Sequence, residues 1–140
     1  MRITLFTSDS LRHNYLINLL SGISDNLFVI QECKSKEYIN TPQQSHLKQK
    51  YFKKVENAEK RIFPHIKTKK INNILFKKIQ YGKINELKKL DLNQYLKSDL
   101  YIVFGSSFIK GQLVKYLIKK KTINIHAGIS PYYRGTDCNF

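Results

Sequence analysis

The chain has 140 residues, is 41% hydrophobic and 12% aromatic, and carries 25 Lys and Arg against 10 Asp and Glu for a formal charge of +15. That length and apolar content describe one domain with a sizeable core and exclude a disordered chain. Two cysteines without CxxC spacing, Cys33 and Cys138, exclude a disulfide scaffold and point to no metal site, and no apolar run is long enough to span a bilayer.

Met1 leads directly into a strand-like segment rather than a signal peptide, so the expected compartment is the cytoplasm, with no membrane partner. The positive charge admits two readings, a solvated lysine-rich surface or a basic nucleic-acid-binding module. It is dispersed in short clusters, and Arg2, Arg12, Arg61 and Arg134 are the only arginines. Readers of phosphate and base edges favour the planar arginine fork, so the balance falls toward the solvated surface.

In chain order, Arg2 to Thr7 is a β-branched and aromatic run suited to a buried central strand. Ser8-Asp9-Ser10 offers caps for a helix from Leu11 to Leu20, with Leu11, Tyr15, Leu16, Leu19 and Leu20 on one side and Gly22 ending it. No glycine lies in the turn between them, so the dinucleotide fingerprint is absent and a nicotinamide or flavin enzyme is disfavoured. Arg12 and His13 read as first-turn surface residues, with an anion site at the helix start as the sharper alternative. Leu27 to Cys33 is a second strand, parallel to the first across a right-handed crossover.

Beyond Thr41-Pro42 a helix is expected from Gln44 to Phe63, with Leu47, Tyr51, Val55, Ala58 and Ile62 at helical spacing. Its Lys48, Lys50, Lys53, Lys54, Lys60 and Arg61 form a basic face that is either simply wet or steers an anionic substrate. Pro64 stops it. Residues from Ile74 to Tyr81 form a weak strand, Tyr81-Gly82-Lys83 a turn, and Asp91 caps a brief helix through Leu96. The strand Leu100 to Phe104 ends at Gly105-Ser106-Ser107, which is either a tight turn or a place where a flat ligand meets the backbone; the helix Phe108 to Lys120 follows. Alternation of this kind predicts an α/β fold: a Rossmann-like three-layer sandwich around a mainly parallel sheet.

The last strand, Thr122 to His126, reads as short and buried, and leads into a loop punctuated by Gly128, Pro131 and Gly135. Period-two alternation puts Asn124 and His126 on one face at a strand's carboxyl end, where ligands bind in open α/β sheets. An amide and an imidazole side by side can hold an oxyanion and move a proton, although a histidine at a strand end also serves structural roles.

The run Asn124-Ile125-His126-Ala127-Gly128-Ile129-Ser130-Pro131-Tyr132-Tyr133-Arg134-Gly135 resembles the signature loop of folate-dependent formyltransferases, which carry Asn-x-His, a short loop ending in Pro, and an Arg-Gly or similar pair. The run Asp99 to Ile109 resembles the preceding strand and turn of that family, and the similarity is strongest after Thr122. The resemblance implies transfer of a formyl group from 10-formyltetrahydrofolate to a primary amine. It implies Asn124 as oxyanion donor and His126 as second donor and proton carrier. The loop Gly128, Ile129, Ser130 and Pro131, with Phe104 and Gly105, would hold the folate, and Tyr133 and Arg134 would shape the mouth where the amine enters. Gly-Ile-Ser-Pro stands where many members have Ser-Leu-Leu-Pro, so the loop's backbone transfers better than its side chains. As acceptor, an amino sugar linked to a nucleotide is preferred over initiator methionyl-tRNA.

The family's third catalytic residue is an Asp a few dozen residues after Asn-x-His, whereas this chain stops at Phe140 and Asp137 looks like a helix cap. The whole span 1–140 is therefore expected to be the N-terminal, partial catalytic domain of a truncated formyltransferase, incomplete at its C-terminus. Such a piece is expected to show little transfer alone and to associate through an uncovered sheet edge, homo-oligomers included.

Overall fold

The computed structural model describes residues 1–34, 46–63, 72–128 and Tyr132. Five strands, β1 (Arg2–Ser8), β2 (Asn26–Cys33), β3 (Ile74–Gln80), β4 (Leu100–Phe104) and β5 (Ile123–Ile125), form one sheet in the order β3-β2-β1-β4-β5. Every pairing is parallel, with Thr7 beside both Gln31 and Phe104, and Phe104 beside Ile125. The fold is the expected Rossmann-like α/β arrangement. Strand order runs outward in one direction from β1 through β2 to β3 and in the other from β4 to β5, so the topology reverses between β1 and β4. At such a reversal the connections leave in opposite directions and open a crevice at the strands' carboxyl ends.

The alternation of side chains along β1 builds both faces of the core. Ile3 and Leu5 pack with Leu27, Val29 and Ile102 beneath Ile17 and Leu20 of the helix α1 (Leu11–Ile23). Phe6 points the other way, joining Ile30 and Tyr101 beneath Leu92, Tyr95 and Leu117. Leu92 ends the short helix α3 (Lys89–Leu92), and Leu117 belongs to α4 (Gly111–Lys119). Each fully buried side chain of this kind contributes about 1.5–3 kcal/mol, so both faces are needed to outweigh the cost of ordering the chain. Both faces of β1 are covered, so every residue from Ile3 to Ser8 is buried, the polar Thr4, Thr7 and Ser8 included.

The helix α1 is turned relative to its sequence reading. Its buried residues are His13, Ile17, Leu20 and Ser21, while Tyr15 and Leu19 are 38% and 51% exposed. Apolar residues lie on most sides of Leu11–Ile23, so their spacing selects a face weakly, and polar contacts set the rotation. Ser10 uses its hydroxyl on His13 Nδ1 at 2.7 Å instead of capping the helix, and Asn73 Nδ2 ties the Ser21 and Ser24 carbonyls to the start of β3 at 3.0 and 2.8 Å. The helix also runs one residue beyond Gly22, where Ser24 Oγ donates to the Leu20 carbonyl at 2.8 Å.

The helix α2 (His46–Ile62) rests on α1 through the Tyr15 and Phe63 rings, 5.4 Å apart, and the Arg12–Glu59 ion pair. Asp91 sits inside the first turn of α3 rather than capping it, and its carboxylate accepts the Lys88 N–H at 3.1 Å. The start of α4 at Gly111 falls later than Phe108 because Asn85 holds the intervening segment extended. Asn85 Nδ2 donates to the Phe108 carbonyl and its Oδ1 accepts the Lys110 N–H, both at 2.8 Å. The final strand is the sheet's edge among the described residues, and all three of its residues are exposed, contrary to the buried strand expected. A three-residue apolar stretch cannot by itself distinguish an edge from a core strand.

Candidate functional site

Two loops meet at the crevice, one after β1 and one after β4. His13, at the start of α1, is 2% exposed, and its Nδ1 lies 2.6 Å from Ser8 Oγ and 2.7 Å from Ser10 Oγ. Hydroxyls both give and take hydrogen bonds, so the pair satisfies this nitrogen in a neutral imidazole whichever tautomer the ring adopts. Burial first, and then the positive charges of Arg12 and Lys34, push its pKa down to about 4. The ring stands edge-on to Phe104 with centroids 4.5 Å apart. Its Nε2 occupies the space beside Gly105, where an added Cβ would lie 2.3 Å away. Gly105 has φ +68, a conformation that costs other residues strain. On this side the room left by the glycine is filled by His13 rather than by a flat ligand. His13 is thus a buried structural residue of the crevice floor and not the surface residue expected from its place in a first turn.

The β4 loop is fixed from beneath by a group that its sequence context disguises. Glu32, near the end of β2, is 0% exposed. Its Oε1 accepts from Gly82 N at 2.9 Å and Ser107 Oγ at 2.7 Å, and its Oε2 accepts from Ser107 N at 2.5 Å. The adjacent Gln31 donates to the Ser8 carbonyl at 3.2 Å and to Asn14 Oδ1 at 2.9 Å. The available signal was a polar pair closing the run Leu27-Phe28-Val29-Ile30-Gln31-Glu32. Side chains that follow four apolar residues into a buried strand need partners.

Asn124 lies on β5 beside Val103, between Ile123 and Ile125, which pair with Ile102 and Phe104. Strand alternation directs Asn124 to the sheet face opposite those two isoleucines. His126 follows directly after β5, one residue past the row containing Phe104 and Thr7. Both residues are exposed. The His126 ring is held by its own loop: Gly128 N–H donates to Nδ1 at 3.0 Å, and the Gly128 carbonyl lies 3.1 Å from the same atom. Both contacts fall on Nδ1, one offering it a proton and the other able to take one, and together they fix where the ring sits. Phe104 is half-buried against His13, and its carbonyl accepts Thr7 Oγ1 at 2.8 Å.

Of the predicted site, Phe104, Gly105, Asn124, His126 and Gly128 therefore gather at the carboxyl ends of two adjacent strands, which in sheets run about 4.8 Å apart. Ile129, Ser130, Pro131, Tyr133 and Arg134 lie outside the described residues. An open cleft of about 430 Å3 adjoins the β4 loop, lined by Gly82, Asn85, Glu86, Ser107, Phe108 and Lys110; Asn124 and His126 do not line it. Among the described residues no group of His, Cys, Asp and Glu is placed to hold a metal ion, and no helix is long and apolar enough to cross a membrane.

No protein-family model matches the sequence, and no curated protein matches it. Among solved structures, the chain is similar to that of a phosphoribosylglycinamide formyltransferase from Anaplasma phagocytophilum, with a TM-score of 0.51 and 14% identity. The match covers 99% of this chain and 55% of that one, so this chain spans about half the length of the protein it matches. At that identity the likeness establishes a shared fold.

Proposed function

We propose that the chain carries the donor-binding and oxyanion-binding part of a folate-dependent formyltransferase, acting with 10-formyltetrahydrofolate on a primary amine. The observation that carries this reading is the exposed Asn124 and His126 at the carboxyl end of β5, one strand from Gly105, in a fold shared with a formyltransferase. The folate supplies an activated formyl group. When an amine adds to such a carbonyl, negative charge gathers on its oxygen, and the Asn124 amide is the donor for that charge. One donor so placed is worth about 3 kcal/mol in the transition state. His126, its ring held at Nδ1 by Gly128, is the second donor for that oxygen and the group that moves the proton the amine must lose.

The Gly128–Pro131 loop and the backbone at Phe104 and Gly105 hold the folate in this reading, and Tyr133 and Arg134 flank the acceptor. A nucleotide-linked amino sugar is the preferred acceptor, with methionyl-tRNA second, and the expected setting is the cytoplasm. A competing reading is supported by α2, where Lys50, Lys53, Lys54, Lys60 and Arg61 are exposed on one helix of a strongly basic chain. That pattern suits a polyanion such as RNA.

Calorimetric titration with 5-formyltetrahydrofolate, an isomer that does not transfer its formyl group, separates the two. Saturable binding weakened by the double change Asn124→Ala and His126→Ala supports formyl transfer. No folate binding, together with RNA binding that falls steeply with salt, overturns it in favour of the nucleic-acid module.

A further inference from the structure

We propose that Glu32 is a positioning residue that locks the loop after β4 across the mouth of the crevice in the conformation that receives the formyl donor; the donor part of this inference rests on the formyl-transfer reading. In the sheet β2 is separated from β4 by β1, and Glu32 pairs with Ser8, the last residue of β1. To bring Ser107 N to 2.5 Å from Glu32, the chain leaving β4 must fold back over the carboxyl end of β1. It thereby passes over the point where the topology reverses. The same carboxylate holds Gly82, at the turn after β3, so one side chain joins the exits of two strands that are not neighbours.

The chemistry of the site fits this duty. Three donors converge on two oxygens, and a carboxylate is the side chain that only accepts. Burying that group is costly without such partners, and an apolar residue would fill the space without fixing either turn. Gly105, Ser106 and Ser107 bring the backbone close enough for the bonds to form. The loop is thus tied at Ser107 by Glu32 and seated at Gly105 on His13, which fixes the backbone between them.

Glu32→Gln keeps the shape and replaces one acceptor by a donor, so an N–H or O–H of the two turns meets another N–H. The dissociation constant for 5-formyltetrahydrofolate is expected to rise tenfold or more, and the Gly82 and Ser107 amides to lose hydrogen-exchange protection together. Ser107→Ala, which keeps the backbone bond and is the safer variant to fold, is expected to weaken binding several-fold. Leu20→Ala, a core change remote from both turns, is expected to leave folate affinity unchanged, which separates positioning from general destabilisation. Affinities of both loop variants within twofold of the wild-type value overturn the proposal. Unchanged exchange at Gly82 and Ser107 in Glu32→Gln overturns the lock itself. If the wild-type chain binds no folate while the two amides are still released together, the formyl-transfer reading and the donor part fall and the lock stands.

Discussion

Gly105→Ala sets a methyl group against His13, with 2.3 Å from the new Cβ to Nε2 and 2.4 Å to Cε1. Real Cβ contacts of that length do not occur, so either the ring or the loop has to move. Holding an alanine at φ +68 costs about 1–2 kcal/mol. Displacing the ring breaks its bonds to Ser8 and Ser10, each worth about 1 kcal/mol net. The edge-on contact with Phe104 adds about 0.5–1.5 kcal/mol. The expected destabilisation is about 4 kcal/mol, large among single substitutions. Urea unfolding followed by circular dichroism at neutral pH reads it. The same change made in a His13→Ala background should cost only the backbone share, about 1–2 kcal/mol. A loss below about 1 kcal/mol in the wild-type background, or equal losses in both, would refute the packing of His13 under Gly105.

His13, Tyr116 and Asn73 each carry a further outcome. Because the folded chain holds His13 near 4 and the unfolded chain takes up the proton near 6.5, stability is full above pH 6.5 and falls as pH drops toward about 4, by about 3 kcal/mol in all. The difference between wild-type and His13→Ala stability curves over that window checks it, and parallel curves would contradict it. Tyr116, whose pKa burial and the neighbouring Tyr101 hydroxyl raise to about 12, should be the late step in an alkaline absorbance titration that Tyr116→Phe removes. Asn73→Ala should cost about 1–3 kcal/mol in thermal or urea unfolding, since it strips the Ser21 and Ser24 carbonyls of a shared donor; a loss of a few tenths would show those carbonyls satisfied otherwise.

The elements that the amino-acid pattern revealed are those in which one force dominates. The central strand β1 is buried without a break from Ile3 to Ser8 because both its faces are covered, and alternation of strands and helices was enough to specify a parallel sheet. Where forces compete, the pattern says less. Lys77 and Lys78 sit within β3 because, among the described residues, that strand lies at an edge of the sheet, which thins its strand signal. The buried face of α1 is chosen by hydroxyls and amides around His13 and Ser21, which a hydrophobic period does not register.

The candidate site was legible in the same uneven way. Asn124 and His126 are separated by one residue, so alternation alone relates them, and Gly105 announces a turn by its type. Glu32 and His13 were not legible as parts of the crevice. Each acts through partners distant in sequence, Ser107 in one case and Gly105 in the other, and only the reversal of the sheet brings those partners together.

Titration of isotope-labelled chain with 5-formyltetrahydrofolate, followed by amide resonances, tests the assignment of the site most directly. The account predicts saturable shifts at the Asn124 side-chain amide and at the backbone of Gly105, His126 and Gly128, with α2 undisturbed. Shifts confined to α2, or none at any concentration of the folate, would contradict it.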